Sequence, residues 1–156
     1  MTVIALFLIL YILLISGLCV GFVKLPHERN AFDNPLFTDT KTGFSILIPF
    51  RNEAQHLEAL LATLNSLDYP DELYEIILIN DASTDNSLDV IEQFLATHQH
   101  LKLKILNSKR VSGSPKKDAL ALGVTEAKMD WIITTDADCR VPTNWLKHYN
   151  YKILRD

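Results

Sequence analysis

The stretch EIILINDASTDNS, residues 75–87, decides the fold. It begins as an apolar, β-branched run and changes within one residue to polar turn formers. Leu88, Ile91 and Leu95 then follow at the three- and four-residue spacing of one helical face. A strand that leads through a short polar loop into a helix is typical of a parallel sheet covered by helices.

The same pattern recurs on both sides of this stretch. We predict strands over 44–49, 74–80, 101–106 and 131–135. The predicted helices lie between them, with leucines at 57, 60, 61, 64 and 67 marking the first and residues 115–128 forming the third. The order βαβαβαβ predicts an α/β fold with a mainly parallel sheet, flanking helices and right-handed crossovers.

Polar residues collect where the predicted strands end. The four loops there read RNE (51–53), DASTDNS (81–87), NSKRVSGS (107–114) and DADCR (136–140). In open parallel sheets, ligands bind beyond the carboxyl ends of the strands. The sequence therefore predicts a binding site at this single edge.

Two carboxylates, Asp136 and Asp138, follow the fourth predicted strand. Two ionised carboxylates a few ångströms apart repel each other by about 4 kcal/mol at an effective dielectric constant of about 20. A divalent cation removes that cost, and Mg²⁺ binds one or two carboxylates together with substrate phosphates. The alternative is a polar turn in which Asp136 ends the strand and Asp138 caps the next helix.

Other acids and bases at this edge have two interpretations each. Asp81 either forms an Asx turn or accepts a hydrogen bond from a nucleotide base. Lys116 and Lys117 either neutralise a diphosphate or form a solvated helix start, and Glu53 either serves a ligand or complements a helix dipole. A calcium loop starting at Asp81 is disfavoured, because Asn86 replaces the usual glycine.

The amino-terminal segment 2–23 contains no charged side chain, and its length is enough to cross a bilayer core of about 30 Å. We predict an uncleaved membrane anchor over 1–23, with a buried helix as the alternative. Lys24 and Arg29 follow the segment, which predicts a downstream domain that faces the cytoplasm. Residues 24–42 are predicted to be a juxtamembrane linker, and 43–156 one domain.

Composition excludes some partners. The net charge is -4 without a basic stripe, so nucleic acid is not an expected partner. The two cysteines cannot build a disulfide framework, which agrees with a reducing compartment.

Taken together, four segments resemble the nucleotide-binding half of a family 2 glycosyltransferase with the Rossmann-like GT-A fold. They are SILIPFRNE (45–53), EIILINDASTDNS (75–87), KKDALALG (116–123) and TTDADCRVP (134–142). The resemblance implies inverting transfer of a sugar from a nucleotide diphosphate donor, often UDP, to an acceptor hydroxyl. The implied acceptor is a saccharide or a lipid-linked molecule in cell-envelope, polysaccharide or glycolipid synthesis, and we expect the predicted anchor to contact membrane lipid.

The resemblance also implies roles for particular residues. Asp81 corresponds to the acid that binds the base, and Lys116 to a lysine near the donor. Asp136 and Asp138 correspond to the D-x-D pair that holds Mg or Mn against the diphosphate. The expected donor-binding residues are Pro49, Arg51, Asn52, Glu53, Asp81, Ser83, Lys116 and Asp136.

The catalytic base that the resemblance implies has no counterpart in this sequence. In the family it belongs to a second half, commonly within an E-D motif, and that motif does not occur here. We therefore expect the general base beyond Asp156, the last residue of the sequence, and a fragment that binds the donor without turnover. The alternative is a non-catalytic nucleotide- or metal-binding module anchored to the membrane.

Overall fold

The computed structural model describes residues 2–23 and 39–155, and for residues 2, 3, 5 and 6 it describes the backbone only. These residues divide into two compact units, one with the amino-terminal helix and the other with residues 39–155. Each unit is described by itself. Asp156, beyond which the general base is expected, lies outside the described residues, and that expectation stays a prediction.

The amino-terminal unit contains one helix, α1 (Thr2–Val23). Its described side chains are exposed all round, and they include Phe7, Leu14 and Phe22. Among the residues that the structure describes, no helix is both long enough and apolar enough to meet the criterion for a membrane span. The anchor predicted over 1–23 stays a prediction, and residues 24–38 of the predicted linker lie outside the described residues.

The second unit alternates strands and helices as predicted. The strands are β1 (Phe44–Phe50), β2 (Tyr74–Asn80), β3 (Leu103–Asn107) and β4 (Trp131–Thr134). The helices are α2 (Ala54–Asn65), α3 (Ser87–Thr97), α4 (Pro115–Glu126) and α5 (Trp145–Arg155), and one 3₁₀ turn (Asp71–Leu73) precedes β2.

The four strands form one parallel sheet in the order β3-β2-β1-β4. The chain moves outward from β1 to β3 and then returns to place β4 on the other side of β1. The order therefore reverses between β1 and β4, and such a reversal opens a crevice at the carboxyl ends of the strands. The fold predicted from the sequence is confirmed for this unit.

The sheet is covered on both faces, which explains why β1 and β2 are apolar almost throughout. One face carries a large core in which Ile46, Ile48, Ile76 and Leu78 pack with the leucines of α2. On the other face, Leu47, Ile77 and Ile79 pack against α4. Gly123 lets that helix approach closely, since a Cβ there would lie 2.7 Å from Cδ1 of Ile79.

Some predicted boundaries were wrong. The helix marked by five leucines ends at Asn65, so Leu67 lies beyond it, although it is buried. Strand β3 begins at Leu103 rather than at Leu101. Both leucines add apolar contacts from loop positions, which apolar spacing alone does not distinguish from helix or strand.

The first residues of the unit are fixed by its last helix. Asn150 of α5 is fully buried, and its Oδ1 accepts hydrogen bonds from the N–H groups of Lys41 and Thr42, each at 3.2 Å. Its Nδ2 donates to the carbonyl of Asp39 at 2.9 Å. The hydroxyl of Tyr69 completes the cluster by donating to the Thr42 carbonyl at 2.8 Å.

Candidate functional site

A cavity of about 300 Å³ lies at the carboxyl ends of β1, β2 and β4. The end of β1 and the loop after it form one wall, the loop after β4 forms a second, and the amino end of α4 forms a third. The residues that line it are Pro49, Phe50, Arg51, Glu53, Asp81, Lys116, Asp136, Ala137 and Asp138. Seven of the nine residues expected from the sequence to bind donor or metal therefore line one cavity.

Asp81 is the most enclosed acid of this cavity, with 7% of its surface exposed. Its own N–H donates to the Phe50 carbonyl at 2.9 Å, which fixes it directly after β2. Arg110 donates to both of its carboxylate oxygens, from Nε at 3.1 Å and from an Nη at 3.0 Å. Arg51 adds a second guanidinium 3.8 Å from Oδ2. The Asp81 side chain thus faces two guanidinium groups.

Asn52 and Ser83, the two expected residues that do not line the cavity, connect the loops after β1 and β2. The N–H of Asn52 donates to Oγ of Ser83 at 3.1 Å, and Oδ1 of Asn52 accepts from the N–H of Thr84 at 2.7 Å. Asn52 and Ala82 have positive φ angles of 55° and 53°. Asparagine tolerates that region better than alanine, so the strain lies mainly at Ala82. The neighbouring Asn80 also bonds to this loop, since its Oδ1 accepts from the N–H of Ser83, three residues on, at 2.9 Å.

A second set of bonds fixes Glu53. The buried hydroxyl of Ser87 accepts from the N–H of Glu53 at 3.0 Å and donates to Oδ1 of Asp85 at 2.5 Å. That hydroxyl lowers the pKa of Asp85, helped by the N–H of Ala54, whose bond to Oδ2 of Asp85 is 3.2 Å long. The Glu53 carboxylate accepts from Nδ1 of His56 at 2.7 Å. The loop after β1 therefore has a fixed backbone where it meets the cavity.

The two acids after β4 face outward because the residue between them is buried. Ala137 packs into the core, and the flanking Asp136 and Asp138 are exposed. Asp136 receives a hydrogen bond from Nζ of Lys116 at 2.6 Å, across the cavity from the first turn of α4. Asp138 lies in a turn before α5 begins at Trp145, so the alternative in which it caps that helix is wrong.

Sequence reasoning missed Arg110. The loop after β3 was recognised as part of the polar edge, and it contains the adjacent bases Lys109 and Arg110. Which of the two would turn toward Asp81 depends on the path of an irregular loop, which no periodicity describes. The sequence signal that could have indicated Arg110 is a pair of adjacent bases in a loop at the same sheet edge as the acid that follows the neighbouring strand.

The two carboxylates after β4 suit a divalent cation that binds together with a diphosphate. Within residues 2–23 and 39–155, no group of three or more His, Cys, Asp or Glu side chains forms a metal site. Mg²⁺ typically takes one or two carboxylates and fills its other positions with phosphate oxygens and water. Asp136 and Asp138 offer two carboxylates on one cavity wall, which meets that smaller requirement.

Comparison with known proteins agrees with this arrangement. The sequence pattern of the family described as Glycosyl transferase family 2 matches residues 45–153, from β1 into α5. The chain belongs to glycosyl transferase family 2. The family 2 match covers every loop that reaches the cavity.

Two curated relatives illustrate the match within family 2. The chain is 33% identical over 96 residues to poly-beta-1,6-N-acetyl-D-glucosamine synthase of Staphylococcus epidermidis, a stretch that covers 62% of this chain and 22% of that protein. It is 27% identical over 104 residues to the poly(ribitol-phosphate) beta-N-acetylglucosaminyltransferase TarS of Staphylococcus aureus, covering 67% and 18%. This family 2 chain thus spans about a fifth of the length of these relatives.

Solved structures show the same fold. Staphylococcus aureus TarS in complex with UDP superposes with a TM-score of 0.63 at 26% identity, covering 72% of this chain and 32% of that one. The mannosyltransferase PcManGT of Pyrobaculum calidifontis, in complex with GDP-Man and Mn²⁺, gives a TM-score of 0.63 at 23% identity, covering 86% and 39%. This family 2 chain therefore shares its α/β sheet with proteins that have been solved with bound nucleotides.

Proposed function

We propose that residues 43–156 form the nucleotide-sugar-binding part of a glycosyltransferase, and that the donor is a UDP-sugar. The observation that carries this proposal is the convergence of Asp81, Lys116, Asp136 and Asp138 on one cavity from two loops and the first turn of α4. An acid at one end and a lysine beside a carboxylate pair at the other suit a ligand with a polar base and a charged diphosphate.

The base end of the donor is assigned to Asp81. A carboxylate accepts hydrogen bonds only, so it selects a base that presents an N–H group, as the imide of uracil does. Arg110 and Arg51 pair with this carboxylate and offer N–H donors for the carbonyl oxygens of such a base. Pro49 and Phe50 add apolar surface to the same cavity.

The diphosphate end is assigned to Lys116, Asp136 and Asp138. A bound Mg²⁺ or Mn²⁺, held by Asp138 and Asp136, would offset charge that develops on the leaving diphosphate. Lys116 lies at the first turn of α4, where helix N–H groups also favour an anion. In the structure its ammonium contacts Asp136, and we expect it to turn toward the diphosphate when the donor binds.

The acceptor and the general base are not assigned to any described residue. Transfer needs a base that removes the proton of the acceptor hydroxyl. In this proposal that group belongs to a part of the protein beyond Asp156, because the chain covers about a fifth of its curated relatives. We propose that the whole protein transfers the sugar to a saccharide or lipid-linked acceptor.

The membrane location is also part of the proposal. It is supported by α1, a helix of 22 residues without a charged side chain, and by the exposure of its apolar side chains. In length alone, at about 1.5 Å per residue, such a helix is comparable with a hydrocarbon core of about 30 Å. We propose that residues 1–23 anchor the protein, that 24–42 form a linker, and that the donor cavity faces the cytoplasm.

The test is calorimetric titration of the full chain in detergent with UDP and with GDP, each with and without Mn²⁺. We expect nucleotide binding that Mn²⁺ strengthens, and loss of that strengthening in Asp138→Ala. The matched control is Asp89→Ala, which removes an exposed acid from the first turn of α3. Nucleotide binding that ignores both Mn²⁺ and Asp138 would remove this residue from the metal site. No binding of either nucleotide would favour a non-catalytic interaction module.

A further inference from the structure

The loop between β3 and α4 carries Arg110 to the Asp81 carboxylate without support from burial. Residues 109–114 are all exposed, and the side chain of Val111, next to Arg110, is 89% exposed. An exposed loop gains little from apolar contacts, so its conformation depends on hydrogen bonds. At its start, the N–H of Ser108 donates to the Asn80 carbonyl at 2.9 Å.

The other end of the loop is held by one carboxylate oxygen. Oδ2 of Asp118 accepts from the N–H of Val111 at 2.9 Å and from the N–H of Ser112 at 2.8 Å. The N–H of Ser112 is the main cause of the lowered pKa of Asp118, followed by the Ser112 hydroxyl and the N–H of Val111. Asp118 is therefore ionised at neutral pH.

We infer that Asp118 is a positioning residue of the donor site. Its two bonds fix the backbone directly after Arg110, and that backbone sets where the guanidinium meets Asp81. Asp118 also belongs to the first turn of α4, two positions after Lys116. One carboxylate thus holds the backbone beside Arg110, the partner of Asp81, from the same helix turn that carries Lys116 into the cavity.

Charge and positioning predict opposite effects of removing this acid. If Asp118 acted through its charge alone, its loss would strengthen binding of an anionic diphosphate. If it positions Arg110, its loss weakens binding although a negative charge has gone. Because both bonds end on the same oxygen, asparagine can accept both through its single carbonyl oxygen.

The inference rests on the proposed donor function, and its test compares Asp118→Ala with Asp118→Asn in the full chain. The control is Asp89→Ala, which removes a first-turn acid from α3. We expect the alanine variant to bind UDP with Mn²⁺ about tenfold more weakly, and the asparagine variant to stay within about threefold of the unchanged protein. Amide exchange at Val111 and Ser112 should be faster in the alanine variant only. All variants should retain cooperative thermal unfolding.

Unchanged or tighter UDP binding by Asp118→Ala would overturn the inference, as would an asparagine variant as weak as the alanine variant. The unchanged protein separates this failure from failure of the proposed function. If it binds neither UDP nor GDP with Mn²⁺, the donor function itself is wrong, and the positioning role fails with it. If it binds UDP and only the comparison of variants fails, the donor function stands without a role for Asp118.

Discussion

Replacing Asn150 by alanine should destabilise the domain more than its small change in volume suggests. Asn150 is fully buried and takes part in bonds with the N–H groups of Lys41 and Thr42 and the carbonyl of Asp39. The Tyr69 hydroxyl also lies 3.3 Å from its Oδ1. Alanine removes these bonds and leaves two N–H groups and one C=O group without them, of which the N–H of Thr42 is buried.

The magnitude follows from the number of bonds. A typical hydrogen bond contributes about 1 kcal/mol net, and an unpaired buried polar group costs about 1–3 kcal/mol. The three backbone bonds lie at the edge of the domain, where water can reach part of the broken cluster. We therefore expect the free energy of unfolding to fall by about 2–4 kcal/mol, a large part of the stability of a single domain.

The assay is urea unfolding of Asn150→Ala, followed by the far-ultraviolet circular dichroism signal. The matched control is Asn86→Ala, which removes the same side chain from the N-cap of α3, where it makes no capping hydrogen bond. That control should change the free energy of unfolding by less than about 0.5 kcal/mol. If Asn150→Ala unfolds at the same urea concentration as the control, the cluster does not hold the start of the domain.

Three further predictions concern single side chains. Lys116→Met should tighten Mn²⁺ binding several-fold in titrations without nucleotide, because the ammonium no longer competes for Asp136, whereas Lys117→Met should leave it unchanged. Ser87→Ala should lower the free energy of unfolding by about 1–2 kcal/mol in urea, since it removes a buried hydroxyl with two partners; a neutral result would contradict this. Burial raises the pKa of Tyr69 to about 12 from 10.0, so its contribution to stability is complete below pH 10 and is lost as the pH rises toward 12. The urea midpoint should fall over that window, and less steeply in Tyr69→Phe.

The sheet and most of the cavity could be predicted because each strand and the polar loop that follows it are adjacent in the sequence. An apolar run that ends in Asn80 and Asp81 places a polar loop at a strand end wherever the strand sits in the sheet. The contact between Arg110 and Asp81 joins positions 29 apart through an irregular loop, and no spacing rule predicts its direction. The burial of Asn150 was missed for a similar reason, since its partner Lys41 lies 109 positions away.

The position of β4 next to β1 has a consequence for synthesis on the ribosome. Phe44 of β1 pairs with Trp131 of β4, so one edge of β1 stays unpaired until β4 has been translated. Parallel pairing between distant segments forms slowly, because the chain must first close a long loop. A nascent chain therefore exposes the unpaired edge of β1 until β4 emerges, and a chaperone that binds extended segments would meet this protein before the cavity exists.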